Sequence, residues 1–151
     1  MSIPLVSRFL SSSIRARNPR FSFTTLAVTN PAEKYWIHLE RYDPNIEKTL
    51  TGIGAKLDSS CVKEVIKKCS STNPSHITGL RFFIWAGIQH EYRHSSYMYN
   101  LACKLFRINQ NPNVIRDVIE AYTLDICAVN VKSFKIVLNL CKEAWLVDEA
   151  L

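Results

Sequence analysis

The string His90-Glu91-Tyr92-Arg93-His94 is the most overtly chemical feature of the chain. On a helix, histidines four residues apart share a face and can hold zinc, and the glutamate between them can activate a bound water. Such a centre needs a third ligand, for which Glu120 stands downstream. The extended pattern with a glycine and a third histidine fails, because Tyr97 and Asn100 occupy those places. The same residues directly precede Ser95-Ser96, a pair suited to capping a following helix, so they also read as an inter-helix linker. The cysteines offer no better metal site: Cys61, Cys69, Cys103, Cys127 and Cys141 include no CxxC pair, and no spacing couples them to His76. Their odd number argues against a disulfide framework, and their apolar neighbours suit small buried side chains. No metal, cofactor or catalytic residue is expected.

A second chemistry is nucleic-acid binding. The chain of 151 residues has a formal charge of +6, which invites that reading. The charge is uneven, however. Arg8, Arg15, Arg17 and Arg20 lie in the first thirty residues without any Asp or Glu, and the body that follows is close to balance. Net charge therefore does not by itself demand nucleic acid. Phe82, Phe83 and Trp85 have the types of a base-stacking platform, but consecutive bulky residues on a helix fit core packing better, with Arg81 expected to stay outside.

The elements that must position these residues follow from the pattern. Residues 1–30 are Ser- and Arg-rich and free of acid, with Ile3, Leu5, Val6, Phe9, Leu10 and Ile14 able to form a stripe. They read as a disordered leader of the organelle transit type, mitochondrial in preference to chloroplast, with a processing site near Arg20-Phe21-Ser22. No run of 18 apolar residues occurs, so no membrane-spanning helix and no membrane partner is expected. Residues 31–57 read as a connector with two short helices opened by Asn30-Pro31 and Asp43-Pro44, the second weakened by Gly52 and Gly54. From Asp58 a helical period takes over. One face carries Cys61, Val62, Val65, Ile66 and Cys69. The next carries Ile77, Leu80, Phe83, Ile84 and Ile88. A third carries Tyr99, Ala102, Cys103 and Phe106, a fourth Val114, Ile115, Val118, Ile119 and Tyr122, and a fifth Phe134, Val137, Leu138 and Cys141. Asp148-Glu149-Ala150-Leu151 reads as the start of a sixth helix.

Two of these stretches echo one another. Ser96-Tyr97-Met98-Tyr99-Asn100 and Val131-Lys132-Ser133-Phe134-Lys135 place Tyr99 and Phe134 35 residues apart, a period that signals stacked units. The run from Val131 through Leu138-Asn139-Leu140-Cys141-Lys142 to Asp148-Glu149-Ala150-Leu151 resembles a pentatricopeptide repeat. Residues 96–130 resemble a complete unit of that family, 131–151 a partial one, and 58–95 a degenerate one. The latter carries Gly79-Leu80-Arg81-Phe82-Phe83-Ile84-Trp85-Ala86 and Tyr92-Arg93-His94-Ser95, which are similar to plant organellar members. In that light the HExxH string is a variant inter-repeat linker with Glu91 in the place of a glycine. The match departs from the family at Lys135, where Asn is common, and in residues 107–113, which lack a glycine turn.

The resemblance implies an all-α, right-handed solenoid of helix-turn-helix repeats, tetratricopeptide-like in architecture and truncated here. It implies sequence-selective binding of single-stranded organellar RNA in RNA processing, stability or translation, alongside other RNA-processing proteins, without enzymatic activity. Repeat proteins of this class read about one base per unit with two or three side chains. The family's reading positions fall on Asn100 and Asn130, with Lys135 equivalent to Asn100 in the next unit. An amide offers both donor and acceptor to a base edge. Read without the family, Asn100 is an exposed helix residue and Asn130 a helix N-cap. Arg81, Lys104, Arg107 and Lys132 are candidate phosphate contacts. The alternatives are a protein-interaction helical scaffold and, most remotely, a zinc hydrolase through His90, Glu91 and His94. With the sixth helix only begun, the apolar face of residues 131–142 is expected to be open, and one matched repeat is expected to select little RNA sequence by itself.

Overall fold

The computed structural model describes residues 30–41, 43–72, 76–125 and 130–150, with side chains as far as Trp145. The leader, Cys127 and the Asn73-Pro74 junction lie outside them. The described residues form seven helices and no strand: α1 (Pro31–Leu39), α2 (Ile46–Ile53), α3 (Ser59–Thr72), α4 (Ile77–Ile88), α5 (Ser96–Leu105), α6 (Asn113–Leu124) and α7 (Val131–Ala150). Odd-numbered helices pack on one another in order, α1 on α3, α3 on α5 and α5 on α7. Even-numbered helices do the same, α2 on α4 and α4 on α6. Hairpin contacts between α1 and α2 and between α3 and α4 join the two series. This alternation is the architecture of a helical-repeat solenoid, and the two connector helices already take part in it.

Start signals in the sequence act locally. Ser95 Oγ accepts the Met98 backbone N–H at 3.3 Å and caps α5. Asn130 Oδ1 accepts from Ser133 N at 2.8 Å and Ser133 Oγ at 3.1 Å and caps α7. Asp43 acts two residues ahead of its expected place. Its carboxylate accepts from Asn45 N at 2.9 Å and Thr49 Oγ1 at 2.9 Å, and the helix starts at Ile46 rather than Pro44. Gly54, expected only to weaken α2, terminates it at φ 70°, a left-handed conformation that glycine adopts without steric cost.

The core follows the pattern closely in α3, where Cys61, Val62, Val65, Ile66 and Cys69 are all buried. In α4 burial runs without a break from Gly79 to Ala86. The reason is that α4 touches α2, α3, α6 and α7, and a helix enclosed on all sides has no solvent face. Phe82, Phe83 and Trp85 are therefore core residues, and Tyr35 meets both Phe82 and Trp85 at centroid distances of 5.6 and 5.5 Å.

Three expectations need correction. Arg81 is not outside: its side chain is 2% exposed and enclosed by carboxylates. The start of a sixth helix at Asp148 is absent, because α7 runs unbroken from Val131 to Ala150. The face of α7 is also rotated. Ser133, Ile136, Val137, Leu140 and Ala144 are buried, while Phe134 and Leu138 are 57% and 50% exposed and Cys141 is exposed. This helix carries two apolar stripes, and its packing on α4 and α5 selects the one through Leu140. The other stripe, continued by Trp145, is exposed among the described residues.

Candidate nucleic-acid interface

Where α4 ends, the linker turns back and is pinned by His94. Nε2 of His94 lies 2.8 Å from the Phe83 carbonyl oxygen, which can only accept, so Nε2 carries the proton. Nδ1 then accepts from the Tyr92 hydroxyl at 2.9 Å. The imidazole stacks flat on Phe83, with centroids 3.7 Å apart and planes at 4°. Burial pushes its pKa down to about 4. Both ring nitrogens are committed and the ring is neutral. His90 and Glu91 lie exposed past the end of α4, off any helix. The zinc reading fails on this geometry: the string is not helical, His94 has no lone pair to give, and no cluster of metal-ligating side chains occurs among the described residues.

The buried thiols are equally inert. Burial raises Cys61, Cys69 and Cys103 to about 12, so none is a thiolate near neutral pH. Cys103 Sγ instead donates to the Leu140 carbonyl at 3.3 Å, within the α5–α7 packing.

The linker shares a cleft of about 530 Å³ with the first turns of α7. Arg93 and His90 enter it from the linker, and Lys132 and Lys135 from α7, with Tyr99 and Asn139 on its walls. Gly87 makes the arrangement sterically feasible. A Cβ there would come within 2.5 Å of Ile136 Cδ1 and 2.8 Å of His94 Cδ2, so the glycine lets α4, α7 and the linker close up. Tyr99 is held edge-on to Phe83 and His94, at 5.6 and 5.3 Å, and its hydroxyl accepts from Asn139 Nδ2 at 3.4 Å.

The residues named from the sequence separate into distinct places. Lys132 and Lys135 meet in this cleft. Asn100 does not line it; its Nδ2 donates to Glu143 Oε2 at 3.3 Å across the α5–α7 contact. Asn130 lines a different cleft of about 350 Å³, beside Glu47, Asp125 and Ser133, with its side-chain oxygen engaged as the α7 cap. Lys104 and Arg107 are exposed at the far end of α5 and reach neither cleft. Arg81 is removed from the candidate phosphate contacts. Its Nε and Nη2 bind both oxygens of Glu47 at 2.8 and 2.5 Å, its Nη1 binds Asp125 Oδ2 at 2.6 Å, and the Tyr122 ring lies 5.1 Å from Cζ. Arg93 is the cation that residue-by-residue reading passes over. It occupies a variable place in the HExxH string, and only the fold carries it to the lysines.

No family model and no solved structure matches the chain. Among curated proteins, it is 43% identical over 149 residues to a pentatricopeptide repeat-containing protein of Arabidopsis thaliana. The alignment covers 97% of this chain and 31% of that protein, so the chain spans about a third of its relative's length. Sequence identity along nearly the whole chain agrees with the two alternating series of stacked helices: the protein belongs to the pentatricopeptide repeat family.

Proposed function

We propose that the chain is a single-stranded RNA-binding segment of an organellar pentatricopeptide repeat protein, acting by binding rather than catalysis in RNA processing, stability or translation. The observation that carries this reading is the family membership itself, since repeat proteins of this kind recognise RNA through side chains of successive helical units. Residues 1–30 serve as a mitochondrial leader, 31–57 and 58–95 as the opening of the stack, and 96–130 as one full repeat followed by part of another in 131–151. Asn100 and Asn130 are the base-facing residues, and Lys135, at the equivalent place in the next unit, faces the phosphate backbone instead. For Asn100 and Asn130 this role requires the RNA to compete with Glu143 or to use the part of the amide that the α7 cap leaves unused.

The direct test is fluorescence anisotropy with labelled pyrimidine-rich single strands at several salt concentrations. Salt-dependent binding, stronger to single strands than to duplex RNA, is the expected result. Modest discrimination between sequences is expected from so few repeats. An absence of binding at low salt would overturn the RNA reading and leave a protein-interaction scaffold, for which the open stripe of Phe134, Leu138 and Trp145 provides apolar surface. Fusion of residues 1–30 to a fluorescent protein tests the leader, with mitochondrial import expected.

A further inference from the structure

The cleft between the 89–95 linker and α7 has the features of a phosphate site rather than a base-reading site. Its cations are Arg93, Lys132 and Lys135, with His90 at the rim, against a single carboxylate from Glu91. Arg93, Lys132 and Lys135 are exposed, and none makes an ion pair or side-chain hydrogen bond among the described residues. By contrast, Arg81 is paired with Glu47 and Asp125, and Lys68 with Glu33 at 2.7 Å.

Helix stability does not account for the lysines either. Lys132 and Lys135 occupy the first turns of α7, which carry no acidic residue. A helix N-terminus disfavours positive charge there. Opposing that preference makes sense where an anion sits between the lysines and the linker arginine. Amides and hydroxyls that line the cleft are engaged within the protein: Gln89 Nε2 donates to the Trp85 carbonyl at 2.8 Å, and the Tyr92 hydroxyl is held by His94 Nδ1 at 2.9 Å. Asn139 is occupied with the Tyr99 hydroxyl, and Asn100 and Asn130 are elsewhere.

We propose that Arg93, Lys132 and Lys135 together bind the sugar–phosphate backbone of single-stranded RNA, as a sequence-independent anchor between successive repeats. This inference rests on the RNA reading above. Each single-strand phosphate neutralised contributes a slope of about −0.7 to log K against log salt.

The test uses the full chain and a fluorescein-labelled uridine 20-mer. Arg93→Ala/Lys132→Ala/Lys135→Ala should weaken binding at least about tenfold at low salt and flatten the salt slope by about 2. The loss should be the same for a cytidine and an adenosine 20-mer. A matched control, Lys34→Ala/Lys56→Ala/Lys67→Ala, removes the same charge from exposed positions on α1, the α2–α3 loop and α3, none of which lines either cleft. It should leave at least most of the slope in place. Wild-type binding with an unchanged slope in the cleft variant overturns the anchor and spares the RNA reading. Equal losses in both triple variants also overturn the anchor, because charge count alone then explains binding. A selective loss for one base would overturn the sequence-independent assignment. Absence of wild-type binding defeats the RNA reading and the anchor with it. All six positions are exposed, so circular dichroism should show native helix content throughout.

Discussion

Arg81 Nη1 lies 2.6 Å from Asp125 Oδ2, joining the interior of α4 to the C-terminal cap of α6. The same guanidinium grips Glu47 of α2 through Nε and Nη2 and donates from Nη2 to the Pro44 carbonyl at 3.2 Å. One buried cation therefore ties together all three even-numbered helices. A planar fork with several donors meets this demand in a way that an ammonium cannot.

Removing the guanidinium should strand its carboxylates. Arg81→Ala is expected to cost about 3–5 kcal/mol in urea-induced unfolding, because breaking one side of a buried ion pair leaves charge uncompensated. The triple variant Glu47→Gln/Arg81→Met/Asp125→Asn removes the stranded charges and should recover much of that loss. Equal instability in the single and triple variants would locate the cost in packing instead.

Arg81 also marks where sequence reading runs out. An arginine beside apolar residues is sorted to the surface by type, and its partners lie 34 and 44 residues away with no local signature. The face of α3 was legible because it has one apolar stripe and one place to put it. That of α7 was not, because both of its stripes satisfy the same period and only tertiary packing chooses between them. The cleft was half legible: Lys132 and Lys135 share a helix, whereas Arg93 reaches them only through the close approach at Gly87.

The choice of stripe can be measured on neighbouring leucines. Leu140 is fully buried and Leu138 is 50% exposed on the same helix. Leu140→Ala should destabilise by roughly 2–5 kcal/mol, through lost burial and a cavity. Leu138→Ala should stay within about 0.5 kcal/mol. A reversed order in paired denaturant melts would mean that α7 packs through its other stripe.

Arg107 ends α5 at φ 54°, in the left-handed region. Its N–H donates to the Lys104 carbonyl at 3.3 Å and the Ile108 N–H to the Cys103 carbonyl at 3.1 Å, and Ile108 is buried behind them. This is the Schellman stop that glycine ordinarily completes, and the glycine missing from residues 107–113 is missing at this point. Arg107→Gly should relieve the steric cost and raise stability by about 1 kcal/mol. Since Arg107 is outside the cleft, RNA affinity should change only as its single charge dictates. A fall in melting temperature would count against a strained cap.

His94 gives the fold a pH dependence with a definite sign. Its pKa is pushed down to about 4 by burial, against 6.5 for the free side chain. The unfolded chain therefore binds the proton more readily than the folded one. His94 contributes full stability above pH 6.5 and loses it as pH falls toward 4. A gap of that size corresponds to up to about 3 kcal/mol. Carboxylates also titrate in this window, so the measurement is a difference: unfolding free energies of the wild type and His94→Gln at pH 7.5, 6.5, 5.5 and 4.5. The variant should be less stable at pH 7.5, because the flat stack on Phe83 is lost, and the gap should narrow steadily on acidification. Parallel curves would show that His94 carries the same proton occupancy folded and unfolded, which contradicts its burial between the Phe83 carbonyl and the Tyr92 hydroxyl.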